Sequence, residues 1–271
     1  MLIVHALALE CLNVELGFME VEMLDNVARF GFGAVLVLTA AQAQADWKGK
    51  GEVGYVMARG NADTSTGNAK VDMLKETEHT KQNFGASFLY GESGEVQTAQ
   101  RWDGRWQTDW KITEKAFWFG NARYEDDRFS GFDYQTTTST GAGYAFYDTP
   151  ITQLRVQIGA GYRRLRIEQL IKDDNDIVIQ RIKGDTSADA VANGKIRFEH
   201  SLNESTKVLD TFLVESGQDN TLAQNELALQ VKMNETLALS VGYSIRNNSN
   251  PPVALAKTDS LTTVNLVYEM K

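Results

Sequence analysis

A chain of 271 residues is long enough for one large barrel or two small domains. Its 27 Lys+Arg against 36 Asp+Glu leave a formal net charge of −9 with no basic run, which excludes the clustered cations a nucleic-acid partner requires. Cysteine occurs once, at Cys11, so disulfide and thiol chemistry are excluded from everything downstream of it.

The first element is a targeting segment. Phe30 to Ala40 is almost wholly apolar. It is too short for a bilayer span, which takes about 20 residues, and suits the hydrophobic stretch of a signal peptide. Ala43-Gln44-Ala45 follows, a small-x-small pattern that places cleavage before Asp46. Residues 1–45 are therefore read as an N-terminal extension plus signal peptide, with Met1 and Met23 both open as the start, and residues 46–271 as one outer-membrane β-barrel domain.

From Trp47 onward the dominant period is two, the period of a strand. Val53, Tyr55 and Met57 share one parity, as do Phe84, Ala86, Phe88 and Tyr90. Trp102, Trp106 and Trp110 alternate with Arg101, Asp103, Arg105, Gln107 and Asp109. The same alternation runs through Leu154–Tyr162, Ala188–Phe198 and Leu237–Ile245. It predicts about twelve strands: 47–58, 66–75, 82–91, 99–111, 116–126, 134–147, 152–165, 187–199, 206–216, 222–232, 236–246 and 258–270. Most reach the 9–11 residues, roughly, that a tilted strand needs to cross a bilayer.

Connection lengths alternate as well. Glu76–Lys81, Ile112–Lys115, Asp148–Ile151, His200–Ser205 and Met233–Glu235 are short. Glu92–Thr98, Asp127–Asp133, Arg166–Thr186 and Asn247–Lys257 are longer and more polar, while Gly60–Ser65 and Gly217–Thr221 are short for that end. Short turns at one end and longer loops at the other is the outer-membrane arrangement, with the turns periplasmic. A soluble lipocalin-like cup would show the same alternation with the apolar face inward. Aromatics near the strand ends favour the membrane reading. Tyr90, Trp102, Tyr124, Tyr134 and Tyr162 would ring one rim, and Trp110, Trp118, Phe146 and Phe198 the other.

Gly51-Glu52-Val53-Gly54-Tyr55 and Arg59-Gly60-Asn61-Ala62-Asp63-Thr64 together resemble the opening of the salt-induced outer-membrane protein family, a domain-of-unknown-function group. The resemblance continues through the Trp102–Trp110 strand, the Asp126–Gly131 loop and Asn265-Leu266-Val267-Tyr268. It implies an exported barrel, and it supplies no catalytic residues.

No HExxH, CxxC or GxxxxGK[ST] run occurs. His79 and His200 fall in turns. Gly141-Ala142-Gly143 and Gly159-Ala160-Gly161 read as places of close packing or strong curvature rather than phosphate cradles. Asp173, Asp174 and Asp176 have oxygens at a spacing that could hold calcium but lack the glycine and distal glutamate of an EF-hand. The expectation is therefore no catalytic residue, no cofactor and no metal. The candidate lumen-facing residues are Arg105, Asp109, Arg123, Arg155, Arg163, Lys195 and Arg197, which would either line a pore or pair across strands and plug it. The expected partners are outer-membrane lipid and, during biogenesis, the barrel-assembly machinery. A monomer is expected, with no nucleic acid bound. The expected function is non-enzymatic, in envelope integrity or limited small-solute passage. The rival expectation is a soluble periplasmic β-barrel holding an apolar ligand.

Overall fold

The structure, a computed structural model, describes residues 47–58, 64–94, 96–172, 178–252 and 255–270. The expected signal segment, the Asn61-Ala62-Asp63 run and the Asp173–Asp176 cluster lie outside the described residues.

Twelve strands form one antiparallel sheet closed on itself: β1 (Trp47–Ala58), β2 (Thr64–Glu76), β3 (Thr80–Ser93), β4 (Val96–Lys111), β5 (Ala116–Asp127), β6 (Phe132–Asp148), β7 (Thr152–Lys172), β8 (Val178–Ser201), β9 (Thr206–Ser216), β10 (Thr221–Lys232), β11 (Leu237–Asn248) and β12 (Thr258–Met270). Each pairs with its neighbours in sequence, and β1 pairs with β12 to close the ring. Closure removes the unpaired sheet edge that hydrocarbon could not satisfy. The closing seam joins Gly49–Gly54 to Asn265–Met270. Beyond it, Tyr55–Ala58 pair with β2 alone.

The alternation resolves into an apolar exterior and a polar interior. Val53, Tyr55, Phe84, Trp102, Trp106, Trp110, Ile158, Leu239, Val241, Val264 and Leu266 are all exposed on the outer wall. Asp109, Glu125, Gln135, Thr137, Gln157, Arg163, Asn193, Glu215, Gln230, Arg246 and Asn265 are buried within. This distribution is the reverse of an apolar ligand cup. Outward polar groups on β5 and β6 are satisfied locally at one point. The Trp118 indole donates to Thr140 Oγ1 (2.8 Å), whose hydroxyl donates to the Phe119 carbonyl (2.7 Å). At the loop end of the wall Trp102, Tyr124 and Tyr134 form a continuous aromatic band, with centroids 4.9 and 6.2 Å apart.

The five short turns share one device. In each, a Thr or Asn side-chain oxygen accepts the backbone N–H three residues on: Thr77 from Thr80 (3.0 Å), Thr113 from Ala116 (2.8 Å), Thr149 from Thr152 (2.9 Å), Asn203 from Thr206 (2.8 Å) and Asn234 from Leu237 (2.8 Å). Side-chain capping of this kind makes a tight turn without glycine.

The segment Arg166–Thr186, expected to be the longest loop, is instead mostly strand. β7 and β8 pair onward past their neighbours to Lys172 and Val178, whereas β6 stops at Ile167 and β9 at Ala192. A register shift between Arg166 and Glu168 moves the apolar residues to the other parity, so the alternation looks broken although the ladder continues. The extension is tied down by Arg181–Glu168 (2.8 Å) and Lys183–Asp133 (2.9 Å). The hydrogen bond to Asp133 holds the Lys183 ammonium above its ordinary pKa.

The two Gly-Ala-Gly runs lie side by side in the β6–β7 ladder. Gly141 pairs with Gly159, and an added Cβ at either would strike the opposite strand's backbone. Phe117 and Phe119 of β5 fold inward over the bared strands, with Phe119 Cζ 2.9 Å from the Cβ position of Gly159. The glycines thus serve close packing.

Candidate functional site: the charged interior

Strand parity aims a set of charges at the barrel interior, and closure decides which of them meet. The widest connection joins Arg246 of β11 to Glu125 of β5, which stand opposite each other in the twelve-strand ring. Glu125 also takes the Arg123 guanidinium at 3.0 Å, and Arg123 reaches across to Glu215 of β9 at 2.6 Å. Arg246, Glu125, Arg123 and Glu215 form a chain of alternating charge that spans the interior. Its two ends and its inner carboxylate are nearly sealed from water: the side chains of Arg246, Glu215 and Glu125 are 7%, 4% and 5% exposed. A buried chain of this kind is tolerable only because every charge in it has an opposite neighbour.

Smaller ties flank it. Arg105 binds Asp72 of β2 at 2.7 Å and Asp103 at 3.3 Å. Arg155 of β7 reaches Asp109 of β4 at 3.2 Å, and the Gln107 amide also donates to Asp109 (2.6 Å). Gln107 and Gln157 exchange amide hydrogen bonds beside them, at 3.1 and 3.4 Å. Lys70 of β2 reaches Glu226 of β10 at 3.2 Å.

At the loop end Arg163, 1% exposed, binds Asp189 at 3.2 Å and donates to the Asn220 carbonyl at 2.7 Å. That pins the β9–β10 turn inward. Asn220 in turn bonds Asn248 (3.2 Å), Ser249 (3.2 Å) and the Asn250 amide (3.1 Å), which fastens the β11–β12 loop to it. Pro252 and Leu255 of that loop sit against Gly131 of the β5–β6 loop, whose φ of 74° and contacts leave no room for a side chain. Phe132, Leu165 and Leu222 are buried beneath.

The seven residues expected in the lumen thus fall into three groups. Arg123 belongs to the spanning chain. Arg105, Asp109, Arg155 and Arg163 are engaged in the separate ties that flank it. Lys195 and Arg197, on β8, make no ion pair or hydrogen bond among the described residues; Lys195 is half-buried and Arg197 exposed. Arg246, Glu215, Glu226 and Asp72 complete the network and were not singled out from sequence. Arg246 carried a usable signal, since it shares the parity of Ser240, Gly242 and Ser244. Glu215 did not, because Leu209 and Leu213 occupy the same inward parity on β9. Of the two histidines expected in turns, His79 lies in one, whereas His200 is a β8 strand residue paired with Thr152 and Val208; it shares a hydrogen bond with the Thr152 hydroxyl (2.8 Å) and stacks on Phe198 (6.1 Å).

Residues 51–270 match a family described as protein of unknown function, DUF481. The chain belongs to the DUF481 family. It is 25% identical over 231 residues to the uncharacterized protein YdiY of Escherichia coli (strain K12), covering 85% of this chain and 86% of that one. Among solved structures it is similar to the translocator domain of the autotransporter NalP from Neisseria meningitidis, with a TM-score of 0.47 and 13% identity over 91% of this chain and 98% of that one. It is also similar to an outer membrane channel from Pseudomonas putida F1, with a TM-score of 0.49 and 8% identity over 84% and 96% of the two chains. The DUF481 match begins within β1 and reaches every strand of the barrel.

Proposed function

We propose that the protein is a non-enzymatic outer-membrane barrel, exported with residues 1–45 removed, that is held shut by its own charges and serves envelope integrity rather than bulk solute passage. The outer-membrane location is supported by the apolar wall, the aromatic band and the division into a turn end and a loop end, the turns facing the periplasm. The closed state is supported by one observation above the others: the Arg246–Glu125–Arg123–Glu215 chain joins three strands that are not neighbours in the ring. Charges that lined an open pore would stay solvated on their own strands.

Conductance in planar bilayers tests the reading. The wild-type barrel is expected to be silent, and Glu125→Gln with Glu215→Gln to pass ions by releasing Arg123 and Arg246 from their crossing partners. A steady open wild-type conductance overturns it and favours solute passage.

A further inference from the structure

Most interior cations have a carboxylate assigned to them. Asp72 and Asp103 serve Arg105, Asp109 serves Arg155, and Glu226 serves Lys70. At the turn-side rim Glu76 serves both Lys81 (3.7 Å) and Lys111 (2.8 Å). Two cations on β8 are left over, Lys195 and Arg197. They are two residues apart on the same inward face, and Arg197 stands directly opposite Arg155 in the β7–β8 ladder. Like charges facing each other across a strand pair repel, and no described carboxylate comes between them. Lys81 lies within Coulombic reach of Arg155 and Arg197, and Lys195 within reach of Arg197 and Arg105. The acids that face the same space, Asp72, Asp109 and Glu226, are already bound to Arg105, Arg155 and Lys70.

We infer that Lys195, Arg197 and Arg155 form a binding site for a doubly charged tetrahedral oxyanion, phosphate or sulfate, in the turn-side half of the interior. Arg155 is the prearranged member. Its guanidinium lies 4.5 Å over the Phe117 ring, Asp109 holds one end, and its Nε is buried with no partner. Arg197 supplies a second planar fork of donors and Lys195 a mobile ammonium, which together match an oxyanion with several acceptor oxygens. Two unpaired charges select a dianion over chloride. The site lies on the turn side of the spanning charge chain and does not depend on whether that chain conducts.

The test is isothermal titration of inorganic phosphate into the purified full chain in detergent, at low ionic strength to limit screening, with sulfate and chloride in parallel. The wild type is expected to bind phosphate or sulfate saturably and to unfold at higher temperature in its presence, because a ligand that binds only the folded state stabilises it. Lys195→Gln with Arg197→Gln is expected to weaken phosphate binding at least about ten-fold and to abolish the thermal shift. The same double variant is expected to be no less stable than wild type without phosphate, because it removes repulsion. Lys195→Met alone, a milder change, is expected to weaken binding in the same direction. No saturable binding by the wild type, equal binding by either variant, or chloride competing as strongly as phosphate each overturns the inference. Conductance plays no part in this readout, so failure of the site and failure of the closed-barrel reading are separable.

Discussion

Removing Arg246 isolates the contribution of the spanning charge chain. In Arg246→Ala the Glu125 carboxylate stays buried, 5% exposed, and loses its partner from the far wall. Breaking a buried pair from one side costs about 3–5 kcal/mol, because the remaining charge is neither solvated nor compensated. Here Arg123 still touches Glu125 at 3.0 Å, but it is also engaged by Glu215 at 2.6 Å, so its help is divided. The expected loss therefore sits near the lower end, about 3 kcal/mol. Replacing both partners with neutral residues of similar volume, Glu125→Gln with Arg246→Met, leaves no orphaned charge and is expected to cost far less than the sum of the two single changes. Urea titrations of the barrel in lipid vesicles, read by tryptophan fluorescence and heat-dependent gel mobility, give the three unfolding free energies and close the double-mutant cycle. A loss below about 1 kcal/mol for Arg246→Ala is the range of a solvated surface pair. Such a value would show that water reaches the chain, and the closed-barrel reasoning would fall.

Ile158, 69% exposed on the outer wall, is expected to cost about 2–4 kcal/mol as Ile158→Arg in vesicle unfolding, whereas Ser244→Arg, inward and paired with Glu226, is expected to be tolerated; the reverse order would exchange inside and outside. Gln157→Arg, which a wet interior would accept, is expected to lose about 1–3 kcal/mol in the same assay, since Gln157 is 7% exposed, bonded to Gln107 and set opposite Lys195; an unchanged midpoint would contradict that. Gly159→Ala is expected to destabilise by about 1–3 kcal/mol through overpacking against the Thr140 carbonyl and the Phe119 ring, and a neutral result would mean the wall can relax there. Mass analysis of protein purified from envelopes is expected to find Asp46 as the first residue; retention of residues 30–45 would reject the cleavage site.

Alternation along the chain was enough to count the strands, to bound nearly all of them within two or three residues, and to say which side chains of each strand share a face. That follows from backbone geometry, because successive strand residues must point to opposite sides. Two local features escaped it. The register shift at Arg166/Glu168 hid the β7–β8 extension by breaking parity without ending the ladder. The Thr or Asn cap three residues before each returning strand, present in all five short turns, was in the sequence but carries no periodic signal. Alternation alone left exterior and interior exchangeable, since a membrane barrel and a ligand cup have the same pattern; the aromatics near the strand ends pointed to an apolar exterior, and the large apolar residues do stand there. The partners of the interior charges belonged wholly to the tertiary structure. Parity places Glu125 and Arg246 inward, but they are 121 residues apart in sequence, and they meet only because the ring closes with β5 opposite β11 and a stagger that brings them to one depth. The same closure leaves Arg197 facing Arg155 with no acid between them, because strand register, and not composition, decides which charges become neighbours.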